Sequence, residues 1–400
     1  MTTTTMSVAD APTTPSLDRI TLWLLFGFVA ALQISIAAAG VLLTAMLIGW
    51  AAQLVRSRIR PAAPKFFLPL VVFAGVTLAS AAFSVDPAVS FIDTKQLLLF
   101  LIVPAVYHVA RGGRASLVVD VIVTVGAASA LYGIIQYGVL DFDNLTQRPK
   151  GALGHYMTYS GVLMLVLGTA VARLVFGTRE RVWTGLVMPA LVVALAVTFT
   201  RSAWVGACAA VSLIFILKDF RLTALIPVVI ALLFTFLPDN VTDRMESVFD
   251  LRDPSNRDRL AMARMGTEIV KDHPLTGVGP NMVPRVYPQY RSADAVEAVN
   301  PHLHNVPLQI AAERGLPALA IWTWFIVVLA VSLFHAFRDH RERMLGAAAL
   351  AALAGMLAAG LFEYNFGDSE FLMMFLVIAT LPFAARNGGA VAAPAGAAGH

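Results

Sequence analysis

The stretch Asn300-Pro301-His302-Leu303-His304-Asn305 packs two imidazoles and two carboxamides into a chain that is 58% hydrophobic. An imidazole titrates near ambient pH, so a histidine here can orient a hydroxyl and take its proton. On a helix, the spacing of His302 and His304 would put them on different faces. In an extended run leading into a helix, both can converge on one site. A zinc centre needs more ligands than the pair supplies, so no metal is expected.

The other reactive candidates are charged. Arg201 stands in Thr198-Phe199-Thr200-Arg201-Ser202-Ala203-Trp204, among hydroxyl groups that argue for a polar pocket. Arg148 and Lys150 flank Pro149, with His155 just beyond. Glu363, Asp368 and Glu370 share residues 362–370, which offer ligands for a divalent ion but read rather as a solvated loop or as partners for the arginines. Ionisable groups at a membrane rim are costly, and those retained there are functional candidates.

A membrane is implied by composition. Charged residues make up 14% of the chain and mean hydropathy is +0.74, whereas a soluble domain carries roughly a quarter charged residues. Apolar runs long enough to span are centred near residues 27, 45, 75, 103, 126, 166, 191, 210, 229, 327, 354 and 378, about twelve in all. The first run lacks a small-residue cleavage site and reads as a retained helix. Cys208, the single cysteine, lies inside an apolar run, which excludes an intramolecular disulfide and a cysteine metal site.

Basic residues cluster in alternate short loops: Arg56, Arg58, Arg60 and Lys65; Arg111 and Arg114; Arg173, Arg179 and Arg181; Lys218 and Arg221; Arg338, Arg341 and Arg343. The positive-inside rule makes these loops cytoplasmic, and an even number of spans puts both termini there too. The reactive candidates then all lie on the outer, periplasmic side. Residues 1–18 are expected to be a disordered cytoplasmic N-terminus and 387–400 a flexible cytoplasmic tail. Between them, 19–237 read as a bundle of about nine spans, 238–315 as a periplasmic loop with the reactive elements, and 316–386 as about three more spans. No internal repeat is evident.

Within that loop a helix is expected from Ser255 to about Asp272, opened by a capping box of Ser255 with Asp258 and closed by His273-Pro274. Leu260, Ala263, Thr267 and Val270 would form its apolar face, with Arg257, Arg264 and Lys271 on one flank and Arg259 on the other. Gly277-Val278-Gly279-Pro280-Asn281 reads as a structural turn. Residues 304–314 read as a short helix broken by Gly315-Leu316-Pro317, so the histidines open a half-buried helix with free N–H groups.

His304-Asn305, followed by Leu308, Glu313 and Gly315, resembles the His-Asn-x-x-Leu…Glu-x-Gly signature of the O-antigen ligase and O-antigen polymerase superfamily of bacterial membrane glycosyltransferases. The segment from Thr198 to Trp204 is similar to its Ser/Thr-Arg-small-x-Trp element, and His273-Pro274-Leu275 through Gly277-Val278-Gly279 to its His-Pro-Leu-x-Gly-Val-Gly element. Arg148 to His155 is similar to an earlier Arg-x-x-Gly…Gly-His element. Asp258 stands where glycine is usual, and Ala263 where an aromatic is common. The likeness covers most of residues 145–385.

This resemblance implies an all-α, GT-C-like integral membrane protein of the bacterial inner membrane, acting as a metal-independent inverting glycosyltransferase without a cofactor. Its donor would be O-antigen on undecaprenyl diphosphate and its acceptor lipid A-core, as in lipopolysaccharide biosynthesis. His304 would take the acceptor proton. Arg201 and Arg259 would neutralise the leaving diphosphate, since forked guanidinium donors suit phosphate oxygens. Arg148, Lys150, Arg264 and Arg291 would assist in binding, and His302, Asn305 and Glu313 would orient the rest. Membrane lipids are the other partners, and no nucleic acid is expected.

An O-antigen polymerase would use the same donor with another growing glycan as acceptor. Some polymerases pair an arginine with a glycine eleven residues later, a spacing no outward-facing arginine has here. A protein O-oligosaccharyltransferase would use a serine or threonine hydroxyl. A lipid or glycan transporter would place charges and broken helices at mid-membrane, where this chain has almost none.

Overall fold

The computed structural model describes residues 15–387, apart from 59, 248, 249, 251 and 294. The N-terminal stretch through residue 14 and the tail from 388, where disorder is expected, lie outside the described residues. Helix already begins at Pro15, inside the expected N-terminal segment. Among the described residues there is no strand.

Chain order is α1 (Pro15–Ala31), α2 (Ile36–Ser57), α3 (Phe67–Ala82), α4 (Pro87–Asp93), which runs through a 3-10 turn into α5 (Ile102–Val109), then α6 (Arg114–Val139), α7 (Tyr156–Phe176), α8 (Arg181–Ala196) and α9 (Arg201–Lys218). There follow α10 (Leu225–Phe236), α11 (Asp239–Glu246), α12 (Pro254–Asp272), α13 (Val283–Tyr290), α14 (Val306–Arg338), α15 (Arg343–Ala359) and α16 (Ser369–Asn387). Each of the twelve expected span centres falls inside a helix. By length and composition seven described helices can cross a membrane: Ile36–Ser57, Pro87–Val109, Arg114–Val139, Tyr156–Phe176, Arg201–Lys218, Val306–Arg338 and Ser369–Asn387. Four shorter apolar helices accompany them: Phe67–Ala82, Arg181–Ala196, Phe220–Phe236 and Arg343–Ala359.

α7 and α16 are apolar all round and buried along most of their length, so they form the centre of the bundle. α15 is rich in alanine and glycine and packs closely on α7 and α9. This centre fixes where α7, α9 and α16 begin, and all three begin at the same end of the molecule.

α14 is broken where the sequence predicts. Gly315 adopts φ 80, ψ 169 inside it, with Pro317 just beyond. A break frees backbone groups that a membrane protein must satisfy elsewhere. The 274–279 turn does so: Val278 N–H donates to Ala312 O at 3.0 Å, Gly279 N–H to Glu313 O at 2.9 Å, and Leu316 N–H to Pro274 O at 2.8 Å. A Cβ on Gly315 would stand 2.2 Å from Leu275 O. Gly315→Ala therefore meets both a left-handed backbone and a main-chain clash. We expect it to cost more than about 1 kcal/mol and to lower the yield of folded protein, read by size-exclusion chromatography and thermal unfolding in detergent.

α12 corrects two expectations. Its N-cap is Asp253, which accepts from Ser255 and Asn256 N–H, with Pro254 in the first turn. Ser255 is not the cap, because proline at the first helical position moves the cap one residue before it. Nor does Asp258 close a capping box: it accepts from the Val296 and Glu297 N–H groups and from Asn300 Nδ2. The buried face is Ala261, Met262, Met265 and Ile269, while Leu260 is exposed. The expected apolar face was thus misphased, since α12 packs on Leu303 and Leu308 through its methionine side.

Candidate active site

Five helix starts gather at one end of the bundle. His155 Nδ1 accepts from Met157 N–H at 3.3 Å and caps α7. Arg201 is the first residue of α9, Asp253 caps α12, and Asn305 caps α14 by accepting from Leu308 N–H at 2.9 Å. Asp368 accepts from Phe371 N–H at 2.9 Å at the start of α16. Free N–H groups and helix dipoles make such an assembly favourable for an anion.

His304 has φ 51, a left-handed conformation that costs a non-glycine residue energy. It is held there on both sides. Leu303 N–H donates to the buried Gln309 Oε1 at 2.6 Å, and Asn305 Nδ2 donates to Leu361 O at 3.1 Å. The His302 and His304 rings meet edge to face with centroids 4.3 Å apart. One carboxylate serves both: His302 Nε2 lies 3.4 Å from one oxygen of Glu363, and His304 Nδ1 lies 3.2 Å from the other.

Burial pushes the Glu363 carboxyl up, but the hydrogen bond from His304 and the charges of His304, His302 and Arg259 together outweigh it and hold it down at about 2. Burial pushes His302 down to about 4, against the partial opposition of Glu363. Glu363 is therefore ionised near neutral pH and His302 is neutral. A carboxylate 3.2 Å from His304 Nδ1 favours the tautomer that carries its proton on Nδ1, which leaves Nε2 as the acceptor.

The His302 shift has a consequence for stability. The unfolded chain protonates this ring near 6.5, the folded one only near 4. As pH falls from 6.5 to 4 the unfolded state gains the proton first, so this contribution to stability is lost across that window. The full loss is on the order of 3 kcal/mol. We expect thermal midpoints in detergent to fall with pH through that range, and His302→Gln to flatten the fall.

Beside the triad lies a cavity of about 460 Å³ walled by four arginines, Arg148, Arg201, Arg244 and Arg259, together with His155 and His304. Asp253, Asp258 and Glu297 share its walls. Asp253 is already paired, at 2.9 Å each, with Arg201 and Arg244. Arg201 also donates to Ser247 O at 2.7 Å. Arg259 donates to Phe362 O and to Ser255 Oγ, both at 3.0 Å, and Arg148 lies 4.3 Å over the Tyr156 ring. Neither of these last two bonds to a carboxylate among the described residues. Burial pushes the guanidiniums of Arg148, Arg244 and Arg259 below their ordinary value, and repulsion from Arg201 adds to it. An anion bound among them relieves both effects.

Arg148, Arg201, Arg259, His302 and His304 thus meet at one cavity, and Asn305 braces His304. Four other expected binding residues are not among its walls. Lys150 is exposed, with its backbone N–H on Gln136 Oε1; Arg264 is exposed on α12. Arg291 donates to the carbonyls of Ala295 and Glu297 and braces that loop. Glu313 is buried against Arg314 at 2.9 Å, at the break in α14. Three residues of the site went unassigned from their sequence context. Arg244 and Asp253 carry no local motif, and Glu363 sits among acids read as a solvated loop.

His302, His304 and Glu363 also offer three ligand atoms within 4.8 Å of one another, the minimum set for a catalytic metal. A dication there would face the four guanidiniums across the same cavity, which makes the set a poorer metal site than its geometry suggests.

Residues 186–323 match the family model described as O-antigen ligase. The matched segment runs from α8 into α14 and contains Arg201, Arg259 and both histidines. The match falls on the family that the motifs resemble, one of glycosyltransferase-like enzymes. No curated protein matches the chain.

Proposed function

We propose that this protein is an O-antigen ligase. It moves the glycan from undecaprenyl diphosphate to lipid A-core, at the periplasmic face of a bacterial inner membrane and without a metal. The observation that carries this reading is a histidine aligned by a buried carboxylate at the wall of a four-arginine cavity. The diphosphate lies among Arg148, Arg201, Arg244 and Arg259. The acceptor hydroxyl gives its proton to His304 Nε2 as its oxygen attacks the anomeric carbon. The bond from that carbon to the phosphate oxygen breaks on the opposite side, and its electron pair stays on the diphosphate. In-line displacement inverts the anomeric centre. The guanidiniums stabilise the charge that develops on the leaving group, and holding two lipid-anchored substrates in register supplies further rate.

The opposite end of the bundle supports the orientation. There Arg173, Arg179, Arg341 and Arg343 gather around one cavity, as expected of a cytoplasmic face. The test is transfer in proteoliposomes supplied with undecaprenyl-diphosphate-linked O-antigen, with and without lipid A-core. Product should form only with lipid A-core. Donor glycans that lengthen without it would indicate a polymerase, transfer to a serine or threonine hydroxyl an oligosaccharyltransferase, and lipid movement without covalent change a transporter.

A further inference from the structure

Behind His302 a second cavity, of about 220 Å³, reaches into the bundle among the starts of α7, α9 and α16. His155, Met157 and His302 wall both cavities, so the two adjoin directly. The inner one is unlike its neighbour. Among the described residues no arginine or lysine lines it, and its acidic groups are Glu363 and Asp368.

Two of its lining residues carry buried polar atoms with no hydrogen-bond partner among the described residues, Asn365 Oδ1 and His302 Nδ1. Asn365 is 6% exposed and its amide nitrogen is committed to Met356 O at 3.0 Å, so the oxygen is the part left over. On His302, Nε2 lies 3.4 Å from a Glu363 oxygen, which favours the proton on Nε2 and leaves Nδ1 as an acceptor. Buried polar atoms are costly unless bonded, and these two left-over acceptors beside the cavity, with the Glu363 and Asp368 carboxylates on its wall, favour a ligand that donates. The diphosphate of a glycosyl lipid, esterified at both ends, has no proton to donate at neutral pH and would be repelled by Glu363 and Asp368. An isoprenoid has nothing to donate. A sugar ring has hydroxyls for the acceptors and C–H faces for the apolar wall of Ala203, Ala359, Met164 and Phe371.

We infer that this cavity is the subsite for the sugar bonded directly to the donor's diphosphate. The inference rests on the preceding reading, in which the four-arginine cavity holds that diphosphate. A single glycosidic oxygen separates the first ring from the phosphates, so the ring must lie in an adjoining space. The shared His155–Met157–His302 wall provides that adjacency, and the volume suits one ring and not a chain of them. His302 would then read the first sugar, while His304 serves the acceptor.

The test is to fill the cavity with Ala359→Leu, or more mildly with Ala203→Val, and to measure binding without turnover. Bare undecaprenyl diphosphate should bind as in the wild type, which also shows that the variant is folded. The glycosylated donor should bind about tenfold or more weakly, with its KM raised in proportion and the KM for lipid A-core unchanged. Three results would overturn the assignment: a raised KM for lipid A-core instead, weaker binding of bare undecaprenyl diphosphate in folded protein, or no change for any ligand. The binding contrast needs no acceptor. It can therefore fail while ligase activity stands, and absent ligase activity would not hide it.

Discussion

His304→Ala should lower kcat about 10²- to 10⁴-fold while leaving donor affinity near its wild-type value, because a general base acts on the transition state and not on the bound diphosphate. The reasons are the left-handed backbone at His304, the brace of Asn305 and the Glu363 carboxylate 3.2 Å from Nδ1. Glu363→Gln sharpens the test. An amide can donate to Nδ1 and so favour the tautomer that protonates Nε2, which should cost about 10²-fold or more in kcat with KM little changed. Initial rates of product formation with donor and lipid A-core in turn limiting would separate the two constants. A histidine variant with wild-type kcat and a raised KM for lipid A-core would make His304 a positioner of the acceptor and not its base.

The second large effect concerns the leaving group. Arg259→Lys and Arg201→Lys keep the charge but lose the forked donors, and each should lower kcat/KM about 10²- to 10³-fold. Arg201 has the added task of gripping Asp253 and Ser247, which set the start of α12, so its variant should also lose thermal stability. Among the described residues Arg259 grips only Phe362 O and Ser255 Oγ, and its variant should stay close to wild-type stability. Arg285→Lys, at an exposed pair with Asp86 outside the cavity, should leave kcat/KM within about twofold. Equal small losses in all three variants would mean that the cavity attracts substrate by general charge alone.

The helical class, the positions of the apolar helices and the break at Gly315 were legible in the sequence, because each rests on local chemistry: apolar run length, and glycine beside proline. The His302–His304 pair was legible for the same reason, being a polar cluster at a helix start. The phase of α12 was not. Leu260, Ala263 and Val270 make a plausible apolar stripe, but so do Ala261, Met262, Met265 and Ile269, and only the partners Leu303 and Leu308 decide between them. Glu363 escaped for a related reason. One of three acids at a turn looks solvated until the fold carries two histidines from 59 and 61 residues earlier onto its two oxygens. Arg244 and Asp253 became meaningful only through Arg201, which pairs with Asp253 across 52 positions of sequence. Glu313, expected to orient the other groups, lies buried against Arg314 at the break in α14 and away from the cavity wall.

The decisive experiment is transfer by the purified protein in excess EDTA, using defined undecaprenyl-diphosphate-linked O-antigen and lipid A-core. Arginine-stabilised departure of the diphosphate with His304 as base predicts a rate within about twofold of the untreated enzyme, and an inverted anomeric centre in the product. Loss of transfer in EDTA, restored by a divalent ion and absent in Glu363→Gln, would contradict that mechanism and make His302, His304 and Glu363 a metal centre.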